Sequence, residues 1–198
     1  TVENLLTQEI KWGDASTIIT VYDNSSTNLG DSYVRDTASF ESSNFGTESW
    51  LNIRNSTTSN MHALIKFDIS HLPREAIIDN ARLHLNLDGN SLDAGESYNV
   101  SSFSVFPYYN WTETTVKWVN KPNSSDYNNS YTDEVNILGA GGTPAGYLSW
   151  NVTSVVKSKG NNESFYLYAR FNNGGAPTDD IQFSSKKILR SLKDLTLT

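Results

Sequence analysis

The feature that most constrains this chain is a strict period of two in its apolar residues. In HALIKFDIS, Ala63, Ile65, Phe67 and Ile69 fall on one face and Leu64, Lys66 and Asp68 on the other, the pattern of a strand with one face in a core and one turned away from it. The period recurs with Ala81, Leu83, Leu85 and Leu87 inward and Arg82, His84 and Asn86 outward. A third instance sets Phe165, Leu167, Ala169 and Phe171 against Tyr166, Tyr168 and Arg170. Weaker strand patterns are STIITVYD, DSYVRD, ESWLNIR, FSVFPYY, TVKWV, GYLSWNV, DIQFSS and LKDLTLT. Between them, stretches such as DNSSTNLGD, NKPNSSDYNNS and LGAGGTPAG supply the Gly, Asn and Pro that turns require. Only NVTSVVKSKG has helical character, with Asn151 or Thr153 as N-cap and Gly160 as a stop, enough for one or two turns. About ten strands at this spacing predict an all-β fold, a jelly-roll-like antiparallel β-sandwich with at most one short helix.

Residues 18–198 read as a single sandwich domain, and residues 1–17 as a weakly patterned N-terminal extension. The net charge of -7, with 15 Lys and Arg scattered along the chain, gives no basic stripe that could follow a phosphate backbone, which argues against nucleic acid as a partner. No apolar run approaches the roughly 20 residues that cross a bilayer, so no membrane insertion is expected. The first residues, TVENLLTQEI, lack the basic and apolar regions of a signal peptide. With no cysteine, disulfides, thiolate metal sites and thiol nucleophiles are all excluded. Eight Asn-x-Ser/Thr acceptors occur, at Asn24, Asn55, Asn99, Asn110, Asn123, Asn128, Asn151 and Asn162. A shuffled chain of this composition would carry roughly five, so the sequons favour an exported, N-glycosylated surface protein without establishing it.

The order of several blocks carries a resemblance. Asn44-Phe45-Gly46, then IKFDIS, then the Trp-Thr-Glu and Lys-Trp pair from Trp111 to Trp118, then Phe-Ser-Ser at 183 to 185, resemble the successive blocks of the disaggregatase-related repeat of methanogenic archaea. That repeat is similar to the wider DNRLRE group of surface-protein domains. The likeness covers roughly residues 18–198; KKILRSLKDLTLT departs from it by lacking the proline that usually precedes the last strand. It implies a jelly-roll sandwich in a larger secreted or cell-surface protein, beside adhesive or polysaccharide-degrading neighbouring domains, and in some relatives polysaccharide binding.

Trp111, Glu113 and Trp118 look like a sugar site, but large aromatics beside sandwich strands more often fill a core, and the structural reading is the better one. His62, His71 and His84 have no ligand spacing, and no Gly-x-Ser-x-Gly nucleophile turn is present. Calcium is the plausible cofactor, with Asp31 and Asp36 near the first strands and Asp179 and Asp180 before DIQFSS as oxygen ligands; these acids read equally well as solvated turn residues. If the two strongest strands share a sheet, Arg82, His84, Tyr166, Tyr168 and Arg170 gather on one outward face, suited to an acidic polysaccharide through aromatic stacking and paired guanidinium donors. The bland reading is that this face packs under a loop or a neighbouring domain.

The expectation is a non-catalytic, extracellular, cell-surface module, structural or adhesive and in its sharpest form polysaccharide-binding. The rivals are part of a polysaccharide-degrading hydrolase or lyase, and a spacer without a ligand.

Overall fold

Eleven strands, one α-helical turn and a 3-10 turn at Trp118–Asn120 appear in a computed structural model that describes residues 5–12, 15–22, 30–68, 77–139, 145–157, 162–173 and 179–185, with side chains described at 30–67, 78–139, 145–157 and 179–185. In chain order they are β1 (Leu5–Trp12), β2 (Ala15–Tyr22), β3 (Gly30–Arg35), β4 (Trp50–Ile53), β5 (Met61–Asp68), β6 (Ile77–Asn90), β7 (Ser97–Val105), β8 (Asp133–Leu138), β9 (Gly146–Asn151), α1 (Thr153–Lys157), β10 (Asn162–Asn173) and β11 (Ile181–Ser184). One sheet runs β2-β1-β6-β11-β4, with β9 also on β6; the other runs β3-β5-β10-β7-β8. Every pairing is antiparallel, and from β3 onward the chain changes sheet at nearly every connection. The fold is the all-β sandwich expected.

The core follows from the alternation. Ala63, Ile65 and Phe67 on β5 and Ala81, Leu83, Leu85 and Leu87 on β6 are all buried, and join one apolar cluster with Leu51, Ile53, Tyr98, Val100, Ile137, Trp150, Ile181 and Phe183. Trp150 spans the layers: its ring meets Phe183 edge-on at 5.9 Å, and its Nε1 donates to the Val100 carbonyl at 2.8 Å. The side chains of Ile69, Phe165, Leu167, Ala169 and Phe171, and the segment LKDLTLT, lie outside the described residues.

Four expectations change. Residues 5–12 are not an extension: they form β1, paired with β2 and with β6, so the boundary at 17/18 falls inside β2. The ladder to β6 is irregular between Glu9 and Ile10, where Asp79 of β6 is the extra residue, and in β1 itself the polar Gln8 breaks the alternation of Leu6, Ile10 and Trp12 that would have marked the strand. TVKWV is no strand, because Asn120 holds it in turns, accepting from Lys117 N at 2.6 Å and donating to the Thr115 carbonyl at 3.2 Å. FSVFPYY ends its strand at Val105, ahead of Pro107. And β8, DEVNIL, was not anticipated, since three of its six residues are polar and only Val135 and Ile137 carry the inward signal. The helical turn matches, with Asn151 Oδ1 accepting from Thr153 N at 3.1 Å.

Leu64 and Lys66, on the outward side of β5, are buried as well. Residues 106–132 fold back over that side and build a second cluster from Val34, Leu64, Phe103, Val105, Trp111 and Val116, with Tyr109, Trp118 and Tyr127 against it. The Asn44-Phe45-Gly46 block holds this excursion. Asn44 Nδ2 donates to the carbonyls of Glu113 at 2.7 Å and Val116 at 2.8 Å, and Phe45 stacks on Tyr33 at 4.4 Å. A Cβ on Gly46 would collide with the Glu113 carbonyl oxygen. Lys66 reaches through the layer to the Trp111 carbonyl at 2.6 Å, and its burial lowers its pKa.

Phe67→Ala is expected to cost about 3 to 5 kcal/mol through lost burial and the cavity left, and Gly46→Ala about 1 to 3 kcal/mol through overpacking against Glu113. Urea unfolding of both variants checks this; parental midpoints would contradict the packing. A second expectation concerns His62, whose ring lies 5.0 Å from that of Trp118, with the Lys121 ammonium 4.4 Å over the same indole. Burial, and then Lys121, push the His62 pKa down to about 3 from 6.5. Above 6.5 the imidazole is neutral in both states; as the pH falls from there towards 3, only the unfolded chain takes up the proton, so stability is lost by up to about 1.4 kcal/mol per pH unit. His62→Gln should flatten the unfolding midpoint between pH 6.5 and 5 relative to the parent.

Candidate functional site

On β6 the residues that turn away from the core are Arg82, His84 and Asn86, each beside an outward residue of β9: Arg82 is opposite Asn151, His84 opposite Ser149 and Asn86 opposite Tyr147. Directly opposed positions put their Cβ atoms about 5 Å apart, and outward neighbours along one strand lie about 6.6 Å apart. Six side chains are thereby gathered on a patch of two strands. Arg82 Nη1 donates to Ser149 Oγ at 3.0 Å, which sets the plane of the guanidinium. Asn86 Nδ2 donates to Ser184 Oγ at 3.1 Å, tying the patch to β11. Tyr147 is 51% exposed, a large ring left in water on a β-strand. His84 is half-buried; desolvation first, and Arg82 second, lower its pKa, so at neutral pH it presents a neutral imidazole.

The chemistry of this patch is that of a hydroxylated or anionic ligand. The tyrosine face takes an apolar surface, the guanidinium offers parallel N–H donors, and the imidazole and the Asn86 amide offer both donor and acceptor atoms.

The five residues expected on one face are divided between two. Arg82 and His84 lie on β6 of the six-stranded sheet, whereas Tyr166, Tyr168 and Arg170 lie on β10 of the other. The premise that the two strongest strands share a sheet fails because β10 takes its ladders from β5 and β7. Its register sets Tyr166 opposite Phe103, Tyr168 opposite Ser101 and Arg170 opposite Asn99; the side chains of β10 lie outside the described residues. Tyr147, Ser149 and Asn86 were not singled out, although the alternation in GYLSWNV, with Leu148 and Trp150 inward, already turns Tyr147 and Ser149 outward.

The four acids considered for calcium are not brought together. Asp31 is buried and accepts from Ser185 Oγ at 2.9 Å. Asp36 accepts from the Asn60 backbone and side-chain amides, both at 2.6 Å. Asp180 forms a two-point ion pair with Arg54, Nη2 to Oδ2 at 2.7 Å, beside Asp179, which is buried. Among the described residues no group of three or more His, Asp or Glu is placed to hold a metal ion. Trp111 and Trp118 fill or flank the second cluster and Glu113 is half-buried, in keeping with a structural role. Of the sequons, Asn110, Asn123, Asn128 and Asn151 are exposed; Asn55 and Asn99 are half-buried, with Asn99 Nδ2 donating to Glu134. Asn24 and the side chain of Asn162 lie outside the described residues.

The family model for carbohydrate-binding module family 96 matches residues 22–197, from the last residue of β2 onward. No curated protein matches the chain.

Because Tyr147 lies half in water and contributes no core packing, Tyr147→Ala is expected to change the unfolding free energy by no more than about 0.5 kcal/mol, measured by urea denaturation. A larger loss would mean that the ring supports the sheet.

Proposed function

Since the chain belongs to carbohydrate-binding module family 96, we propose that it holds a polysaccharide against the outer face of the six-stranded sheet, through Tyr147, His84, Asn86 and Arg82. The preferred ligand carries acidic groups. The observation that carries this reading is that the exposed Tyr147 ring and the guanidinium of Arg82, fixed on Ser149, flank the His84 row on one outward face of two paired strands. The tyrosine face stacks on the apolar side of a sugar ring while Arg82 offers two donors to a carboxylate or sulfate. No described carboxylate is ion-paired with Arg82, so its charge is available to a ligand.

A carbohydrate-binding module does not itself catalyse. Any cleavage of the polysaccharide is assigned to a neighbouring domain, and this chain to holding the substrate or to adhesion. The narrower likeness to the disaggregatase-related repeat supports placing it at a cell surface in a larger secreted protein, with the exposed sequons as further support.

Retention on immobilised polygalacturonate and on dextran sulfate tests the reading. Tyr147→Ala and Arg82→Ala should each weaken binding about tenfold or more, equivalent to about 1.4 kcal/mol, and the parent's retention should fall with salt as the charges are screened over about 8 Å at physiological ionic strength. On dextran sulfate, whose charge does not titrate, retention should rise as the pH drops through the depressed pKa of His84, because protonation adds a cation to the face. His84→Gln should remove that rise. Parental binding by both alanine variants, or no binding by the parent, would leave a spacer as the better account.

A further inference from the structure

The outward row that carries Asn86 and Tyr147 continues to the far edge of the six-stranded sheet. On β11, Ile181 and Phe183 enter the core, so Ser184 turns outward, and its Oγ accepts from Asn86 Nδ2 at 3.1 Å. On β4, the edge strand, Leu51 and Ile53 enter the core, which turns Trp50 outward, directly opposite Ser184. Tyr147, Asn86, Ser184 and Trp50 thus stand in one row across β9, β6, β11 and β4. Three strand spacings separate its ends, about 14 Å. Both ends are aromatic and the middle is low and polar. Ser184 is buried between Asn86 and Trp50, and on the next row, where Gly89 lies opposite Gln182, a Cβ on the glycine would meet no atom within 4 Å. The core makes no use of Trp50. It is partly exposed, it belongs to neither apolar cluster, and among the described residues no hydrogen bond or ring contact holds its indole.

We propose that Trp50 is the second stacking ring of the ligand face, so that a polysaccharide crosses the strands from Tyr147 to Trp50 and is recognised over a stretch longer than a disaccharide. This rests on the reading of the face given above, and adds to it a direction and a length. Tyr147 and Trp50 take the apolar sides of two sugar units that are not neighbours in the polymer, and Asn86, whose amide nitrogen is already on Ser184, turns its oxygen to hydroxyls between them. Arg82 leans on Ser149, the outward neighbour of Tyr147 along β9, so its donors lie beside the unit stacked on the tyrosine. The Trp50 end works without charge. Arg54, the next cation along that edge, is already ion-paired with Asp180. Salt therefore weakens the hold at the Arg82 end and leaves stacking on Trp50 as it is.

Calorimetric titration of the full chain with galacturonate oligomers, from the dimer to the hexamer, tests this. The parent is expected to bind the hexamer more tightly than the dimer by about tenfold or more, a comparison that needs no variant. Trp50→Leu, which keeps apolar bulk but has no ring face, should remove most of that gain and leave the affinity for the dimer unchanged, whereas Tyr147→Ala weakens both. Trp50→Tyr should restore the hexamer. Melting temperatures of the variants are checked against the parent. The factor lost in Trp50→Leu should be the same at low and high salt, while the factor lost in Arg82→Ala shrinks as salt rises. Equal binding of dimer and hexamer by the parent, or parental binding of the hexamer by Trp50→Leu, overturns the crossing and leaves the smaller face around Tyr147 and Arg82 standing. A parent that binds no oligomer of the series overturns the reading of the face itself, and this inference with it.

Discussion

The donation of the Asn44 amide to the carbonyls of Glu113 and Val116 decides which surfaces this sandwich has to offer. A 27-residue excursion that makes no ladder of its own must satisfy its backbone elsewhere, and here two carbonyls of its turn, three residues apart, are met by one side chain from the 36–49 loop. Gly46 lets the two backbones approach at a distance no Cβ would permit, and Gly30 admits the Glu113 side chain, whose Cβ would lie 2.7 Å from a Cβ placed there. Once the turn is pinned, Trp111 and Val116 descend onto Leu64 and Phe103, and half of one outer face becomes a second core. The blocks that carried the family likeness, Asn44 to Gly46 and Trp111 to Trp118, are therefore the two halves of one structural contact. They explain the fold and lie apart from the strand face proposed to hold the ligand.

This second core changes the chemistry of what it covers. Lys66 and His62 belong to the side of β5 that alternation assigns to water, and burial lowers the pKa of both: His62 lies against the Trp118 ring, and Lys66 donates to the Trp111 carbonyl. Lys66 keeps a full-strength partner for its ammonium, and its aliphatic stem adds apolar surface to the cluster. His62 has the Lys121 cation nearby, so a proton on it is doubly disfavoured. The cover thus makes the cohesion of the excursion depend on pH.

Alternation in the sequence reports burial on a strand but not which sheet the strand joins. That is why β5 and β6 could be read residue by residue and the candidate ligand face could not be assembled. Arg82 and His84 do turn outward, as their spacing says; what lies beside them is fixed by the ladder to β9, a pairing across 60-odd residues that period two does not encode. Tyr147 and Ser149 carried a legible outward signal in a weaker strand, while Tyr166, Tyr168 and Arg170 belong to a strand that crossed to the other layer. The missed elements share a cause. The polar Gln8 in the alternation of β1, polar outward residues on the edge strand β8 and side-chain capping in TVKWV each suppress or mimic the one periodic signal available.

Placing ligand chemistry on strand faces has an energetic logic that loops would not share. Arg82 and Asn86 project from a 14-residue strand with ladders on both sides, and their heads are already fixed by hydroxyls of the flanking strands. Binding a ligand there costs little further ordering of backbone or side chain, and each side chain immobilised beforehand spares roughly 0.5 to 1.5 kcal/mol of binding free energy. A polysaccharide offers many weak, repeated contacts and no deep moiety to enclose, so a flat, pre-ordered face loses less to entropy than it would gain from a pocket. The cysteine-free sandwich supplies that rigidity through its shared apolar core, with Trp150 and Phe183 packed beneath the rows that carry the outward residues.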